Sequence, residues 1–341
     1  MRRSFLAALA SILLLTAFVI LVGPVALGSQ LAGTNLPVFA LGLGSMLGAL
    51  VVWSEGLGAL LAGSGIDVPR WRLLVAYTAS MFGRQVLPLG AIGGPVVTAF
   101  TVEREIDQDY DETLAVVVVA EFLSTIASLT VAGVGIGLLL GEVAAVSELR
   151  LLVYGTLAFA VLFLVTVAVV LLARGAVARI LLAATQFTRH TLGRLSPWID
   201  TTLAPGRMGA SIERFYDAID RTAADRSSVL AAFLLHLLGW LCAALPLYTS
   251  AAALDTTLSI PVVLLLVPTM GLVDILPLPG GLGGVELVLG ALIVAVSGVS
   301  VPLAAAVVVL YRLCTYWFLL LIGSVASIVA IADVHDLFWD E

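Results

Sequence analysis

Five ionisable side chains, Arg84, Glu121, Asp274, Glu286 and Arg312, lie deep within apolar sequence, whereas most acids of the chain sit in short connectors and at its C-terminus. A charge at the centre of a bilayer costs about 2.5–3.5 kcal/mol even on the lenient insertion scales, so such residues mark pairing, proton or ion traffic, or contact with a charged substrate. Both signs are present. Structural pairing, for example of Arg312 with Glu286 or Asp274, and contact with an anion both remain open, and they are compatible. Glu55 and His236 fit positions near an interface or hydrogen-bonded in the core.

Three of the five, Arg84, Asp274 and Glu286, stand in backbone breaks. "GRQVLPLGAIGGP" begins at Gly83 and "DILPLPGGLGGVE" at Asp274; each has a Pro, then Gly, then a Gly-Gly pair, inside a longer apolar region. Non-helical backbone at membrane depth survives only where protein or trapped water satisfies its amides. A break of this kind implies a cavity or a close helix contact. A helix restarting after Gly284 would aim free N–H groups and a positive dipole end at the cavity, which suits an anionic head group. The competing reading of any single glycine is helix packing through small residues.

These segments need a scaffold, and composition defines it. Hydrophobic residues make up 61% of the 341 residues and charged ones 11%, far from the roughly 25% charged residues of soluble domains. The expected fold is all-α: one polytopic transmembrane helical bundle over residues 1–341, with two broken or re-entrant segments. Spans are read at Phe5–Val22, Phe39–Leu61, Leu114–Leu140, Leu151–Ala173, Val229–Leu254 and Leu303–Ile331, and broken regions at Leu73–Phe100 and Ile260–Val296. The first span, behind "MRR", exceeds a usual signal-peptide core and reads as retained.

Arginine placement orients the bundle, since cytoplasmic loops are enriched in basic residues. Arg2, Arg3, Arg70, Arg72 and the eight arginines of the 174–226 connector fall on one side only if Leu73–Phe100 enters and leaves on that side. By the same counting Ile260–Val296 opens to the opposite face, the arrangement of an inverted repeat. The 174–226 connector, notably "IERFYDAIDRTAADR", has apolar residues at helical spacing. It fits an amphipathic segment on the cytoplasmic membrane surface as well as a solvated helix hairpin.

Nucleotide-binding, metalloprotease, hydrolase and dinucleotide signatures are missing, and His and Cys are not clustered, so no catalytic residue, metal or cofactor is expected and no nucleic-acid partner is indicated. Cys242 and Cys314 lie far apart in apolar runs and read as core thiols. Tyr316 and Trp317 read as interface anchors.

"LPLPGGLGGVE", followed by "YRLCTYW" and Gly323, together with "GAIGGPVVTAF", resembles the transmembrane region of lysylphosphatidylglycerol synthases, a flippase-like membrane family. The resemblance extends over essentially the whole chain and implies about eight helices. By motif it carries substrate-contact roles onto Pro279, Gly280, Gly281, Gly283 and Glu286, onto Tyr311 and Arg312, and onto Gly90, Gly93, Gly94 and Pro95. Ile92 and Pro95 stand where the first signature usually has a charged residue. The soluble aminoacyl-transferase domain of full-length synthases is not in the sequence, so lipid synthesis is not inherited.

The expectation is a lipid translocase of the cell (cytoplasmic) membrane, moving an anionic or glycosylated lipid between leaflets. Arg84 and Arg312 would face phosphate, with Glu121, Asp274 and Glu286 nearby. The alternatives are a non-transporting scaffold for a lipid-modifying enzyme or glycosyltransferase, and an intramembrane enzyme using Glu286 and Asp274 as acid and base.

Overall fold

The computed structural model describes residues 11, 13–20, 22–86, 90–106, 109–139, 147–192, 205–273 and 278–339. Helices dominate: α1 (Leu13–Ile20), α2 (Pro24–Ala32), α3 (Leu36–Gly63), α4 (Arg70–Val86), α5 (Gly90–Ile106), α6 (Tyr110–Leu138), α7 (Ser147–Leu172), α8 (Arg174–Leu192), α9 (Pro205–Ala224), α10 (Arg226–Ala252), α11 (Ile260–Met270), α12 (Gly284–Ser297), α13 (Val301–Arg312) and α14 (Phe318–Trp339). Among the described residues, six helical stretches are long and apolar enough to cross a membrane: α3, α6, α10, most of α7, the stretch Pro279–Ser297 and the stretch Val301–Ala330. The chain is a multi-pass membrane protein.

Caps and prolines set the boundaries. Asn35 accepts from the Val38 N–H at the start of α3, and Asp225 accepts from Ser227 and Ser228 at the start of α10. Prolines at the openings of α3, α11 and α13 occupy positions whose N–H needs no helical partner. These signals move the expected ends by a few residues, to Leu36–Gly63, Tyr110–Leu138 and Arg226–Ala252.

Helices α3 and α10 form the antiparallel centre. From one face to the other, the Asn35 N–H reaches the Ala253 carbonyl at 2.8 Å, Ser45 donates to the Cys242 carbonyl at 2.6 Å, and Trp53 meets Trp240 edge-on with ring centroids 5.6 Å apart. Beyond them Gly63 lies so near Ser228 that a Cβ there would sit 2.5 Å from its Oγ. Leucines and alanines fill the remaining contacts, among them Leu50, Leu57, Leu60 and Ala232.

Around this axis the two broken regions are placed in corresponding ways. Helices α4 and α5 are an antiparallel hairpin: Ser80 and Arg84 meet Thr98, and Gly83 meets Val97. Its open end is on the arginine-rich face, where Arg70 approaches Glu55 at 3.7 Å. Each arm has 17 residues, about 25 Å of helix. The hairpin is therefore longer than the Leu73–Phe100 reading, because polar residues extend both arms beyond the apolar stretch.

Helix α11 starts at the opposite face, where Pro261 and Leu265 pack on Gly135 near the end of α6, and it stops halfway, with Gly271 and Trp240 on one cavity. Helix α12 restarts at that depth and returns: Glu286 meets Arg312, and Gly290 lies opposite Val308. The two breaks thus enter from opposite faces, as arginine placement predicts. In each, the first arm packs on the span of the other half, α4 on α14 and α11 on α6. The second arm packs on the span that follows it, α5 on α6 and α12 on α13.

Leu303–Ile331, expected as one regular span, is divided by a π-helical turn at Leu313–Trp317. The extra residue in that turn rotates α14 relative to α13 directly after Arg312.

In the 174–226 connector, α9 docks on the bundle. Arg214 pairs with Asp111 at 2.6 Å, Arg221 with Glu112 at 2.7 Å, and Arg174 grips Asp220 through two bonds of 2.6 and 2.7 Å. Its apolar face, Tyr216, Ala218 and Ile219, packs on Ala115. Residues 193–204 lie outside the described set.

Candidate functional site

The end of α4 at Gln85 and the Pro279–Gly281 turn of the second break meet beside the Trp53–Trp240 contact. Between them is a cavity of about 350 Å³ whose lining includes Arg84, Gln85, Gly280, Gly281, Tyr311 and Arg312. Among the described residues, the charged groups on its wall are the two arginines, one from each half.

Arg312 is fixed on three sides. Its Nε donates to Glu286 Oε1 at 2.8 Å and its Nη2 to the Gly280 carbonyl at 2.6 Å, while its guanidinium lies 4.7 Å from the centre of the Tyr316 ring. The other Glu286 oxygen accepts the Gly283 N–H at 2.6 Å. The Arg312 and Glu286 side chains are only 9% and 5% exposed, and a pair so shielded persists only when its remaining hydrogen-bonding capacity is met.

Glycine is required at this turn. Gly280, Gly281 and Gly283 have φ of 56°, 64° and 84°, a region that costs an L-residue about 1–2 kcal/mol. A Cβ on Gly280 would lie 2.0 Å from Tyr316 Cε2 and 3.0 Å from Gln85 Oε1. The turn after Pro279 thus presses its backbone against both the arginine's aromatic neighbour and the tip of the other half. That contact joins the two signatures in space.

Arg84 is held more loosely. Its Nη2 donates to Glu121 and, at 3.2 Å, to Thr98 Oγ1, which in turn donates to Ser80 Oγ at 3.1 Å. Its Nε is buried without a hydrogen-bond partner among the described residues, and the Arg84 and Glu121 side chains are 20% and 28% exposed. Gly94 lets α5 close over this guanidinium, since a Cβ there would sit 2.8 Å from Arg84 Cζ. Ile92 and Pro95 do leave the first signature without a charge, and Arg84 on the opposing arm supplies one instead.

The remaining sequence candidates divide. Tyr311 is buried on the cavity wall. Gly90 opens α5, Gly93 has open space around it, and Pro95 sits within the helix, where it removes an N–H from the ladder. Pro279 starts the tight turn. Asp274 lies outside the described residues, as does the 87–89 tip of the first break.

Two readings are corrected. Tyr316 is a buried partner of Arg312 rather than an interface anchor, because the π turn carries it inward; Trp317 remains 48% exposed. At the restart of α12, one N–H expected to be free for a ligand, that of Gly283, is taken by the Glu286 carboxylate. His236 is buried, with Nδ1 at 2.7 Å from the Ala232 carbonyl, which agrees with a hydrogen-bonded core role. Gln85, Ser80, Thr98 and the two tryptophans were not singled out by sequence. Only their neighbours carried charge or glycine spacing, and uncharged groups give no burial penalty to read.

Fold and site together define a polytopic membrane protein in which two opposed, broken helical segments enclose an arginine-lined cavity. Residues 5–323 match the family described as Lysylphosphatidylglycerol synthase TM region, and the chain belongs to that family. A UPF0104 membrane protein of Methanothermobacter thermautotrophicus is 31% identical over 117 residues, 34% of this chain; the match spans 35% of that relative's length. No solved structure matches the chain.

Proposed function

We propose that the protein is a lipid translocase of the cytoplasmic membrane, in which an anionic head group enters the cavity between the two broken segments. The observation that carries this reading is the convergence of Arg84 and Arg312, from opposite halves, on one cavity of about 350 Å³. Each guanidinium is bound by a carboxylate on its outer side, so the pair is desolvated in advance and still presents N–H edges to a phosphate or sulfate oxygen. Glu286 and Glu121 orient the arginines. Their acceptors offset the cost of burying positive charge when no ligand is bound.

Breaks entering from opposite faces favour access from either leaflet in turn, because each hairpin can move against the α3–α10 axis without unwinding a full span. Net movement would follow a lipid gradient or an ion gradient. A fluorescent phosphatidylglycerol in proteoliposomes tests the reading: wild-type protein accelerates transbilayer movement, and Arg84→Ala and Arg312→Ala each abolish it. Unchanged movement in both variants, from protein shown to be folded, would remove the cavity from the mechanism.

A second reading, a scaffold for a lipid-modifying enzyme or glycosyltransferase, draws on α8, where Ile180 and Leu181 are 68% and 44% exposed on the arginine-rich face. Copurification of transferase activity that Ile180→Glu removes, with no lipid movement, would favour it.

A further inference from the structure

We infer that a second cavity, separate from the arginine site, seats a hydrocarbon chain of the lipid whose head group occupies that site; this rests on the head-group reading above. The cavity, about 240 Å³, lies between α6, α7, α10 and α11, and is walled by Leu129, Ala132, Phe159, Pro268 and Leu272. Trp240 and Gly271 line both cavities, so one indole separates them. Its Nε1 donates to Ser124 Oγ at 3.2 Å, which holds the ring as a partition.

The wall chemistry suits hydrocarbon. Ser128 adds a hydroxyl to the lining; Thr125, Thr156 and Thr269 also reach this space, but each of these three hydroxyls donates at 2.8 Å to a carbonyl of its own helix, on Glu121, Leu152 and Leu265. These donors are spent locally, and a polar head group or a water cluster gains little there. The position suits it too. Helix α7 covers the outer side through Thr156 and Phe159, while its opposite face, with Leu157 and Leu164 exposed, is turned to lipid. Only 6% of its most apolar window is buried in the protein, so α7 can yield sideways at small cost in packing. A lipid with its phosphate between the arginines would thread one chain past Trp240 and remain in contact with the bilayer.

Photocrosslinking in nanodiscs tests this, using a phosphatidate with a diazirine halfway along one acyl chain, while binding of soluble glycerol phosphate reports the arginine site alone. The expected result is adducts on the α6 and α7 segments bearing Leu129 and Phe159. Leu129→Trp, which fills the cavity, should cut them about tenfold and leave glycerol phosphate binding unchanged, whereas Phe159→Ala should retain them. Arg84→Gln or Arg312→Gln should lower both signals. Unlabelled phosphatidate and an unlabelled polyprenyl phosphate, compared as competitors, identify the chain as acyl or isoprenoid by which displaces the probe. Adducts confined to Leu157 and Leu164 that neither competitor displaces would be surrounding bilayer lipid and would overturn the inference. If glycerol phosphate binds and no cavity adduct forms, only this inference falls; if glycerol phosphate does not bind, the head-group reading falls with it.

Discussion

The α4–α5 hairpin carries an arginine near its tip and draws a carboxylate, Glu121, from the span that follows. The α11–α12 break carries a carboxylate, Glu286, and draws an arginine, Arg312, from the span that follows. The architecture is repeated with the charges exchanged. The Glu286–Arg312 pair is also tied to backbone at both ends, through the Gly283 N–H and the Gly280 carbonyl, and is almost wholly shielded. Among the described residues, Arg84–Glu121 is supported by side chains, is more exposed, and leaves one guanidinium N–H without an acceptor. The comparison teaches that equal charge content can give one rigid and one adjustable half-site, and that backbone involvement separates them.

The largest effect should come from breaking the rigid pair. Glu286→Leu leaves Arg312 buried without its partner and should cost roughly 3–5 kcal/mol. Glu121→Leu should cost about 1–3 kcal/mol, since Arg84 keeps Thr98 and some access to water. Thermal unfolding in detergent would order the two, and equal losses would erase the distinction.

Next come the tips. Gly280→Ala combines a left-handed backbone with a clash at Tyr316 and should destabilise by about 2–4 kcal/mol. Gly94→Ala, in α5 without a left-handed φ, has the Arg84 side chain as its nearest neighbour. It should be tolerated in stability while weakening anion binding, measured with glycerol phosphate.

The contacts between halves should respond alike. A Cβ on Gly135 would lie 2.8 Å from the Leu265 nitrogen and the Pro261 carbonyl, and one on Gly323 would lie 3.0 Å from the Phe82 nitrogen and the Thr78 carbonyl. Alanine at either should cost about 1–3 kcal/mol, because backbone cannot move aside as a side chain can. A large loss at one and none at the other would show that the halves are not equivalent supports.

The smallest effect lies outside the membrane. Hydrogen bonds from Ser227 and Ser228 hold the Asp225 carboxyl down at about 2, from an ordinary 3.8. The folded value is the lower one, so the capping contribution is complete above about pH 4 and is lost as pH falls toward 2. The difference in melting temperature between wild type and Asp225→Asn should therefore shrink across that window. A constant difference would mean that the cap acts without its charge.

Much of this was legible beforehand. Hydropathy defined a helical membrane bundle, since 20 apolar residues have few other stable fates in lipid, and arginine placement gave opposed breaks because basic loops resist crossing. The glycine clusters and isolated charges marked both half-sites. Register was the hidden part. Nothing in the linear order tells that Arg84 would choose Glu121, 37 positions away, or that Gln85 would rest against Gly280. Nor could spacing reveal that a π turn would swing Tyr316 onto Arg312.

The sequence by itself determined which segments are apolar enough to enter the membrane and where their backbone must break, because desolvation cost is local and additive along a chain. Which charge meets which, how tightly each is held, and that both arginines open onto one cavity were decided by the tertiary structure. Those outcomes depend on helix rotation and depth, and these are set jointly by packing between α3 and α10 and between each break and both halves.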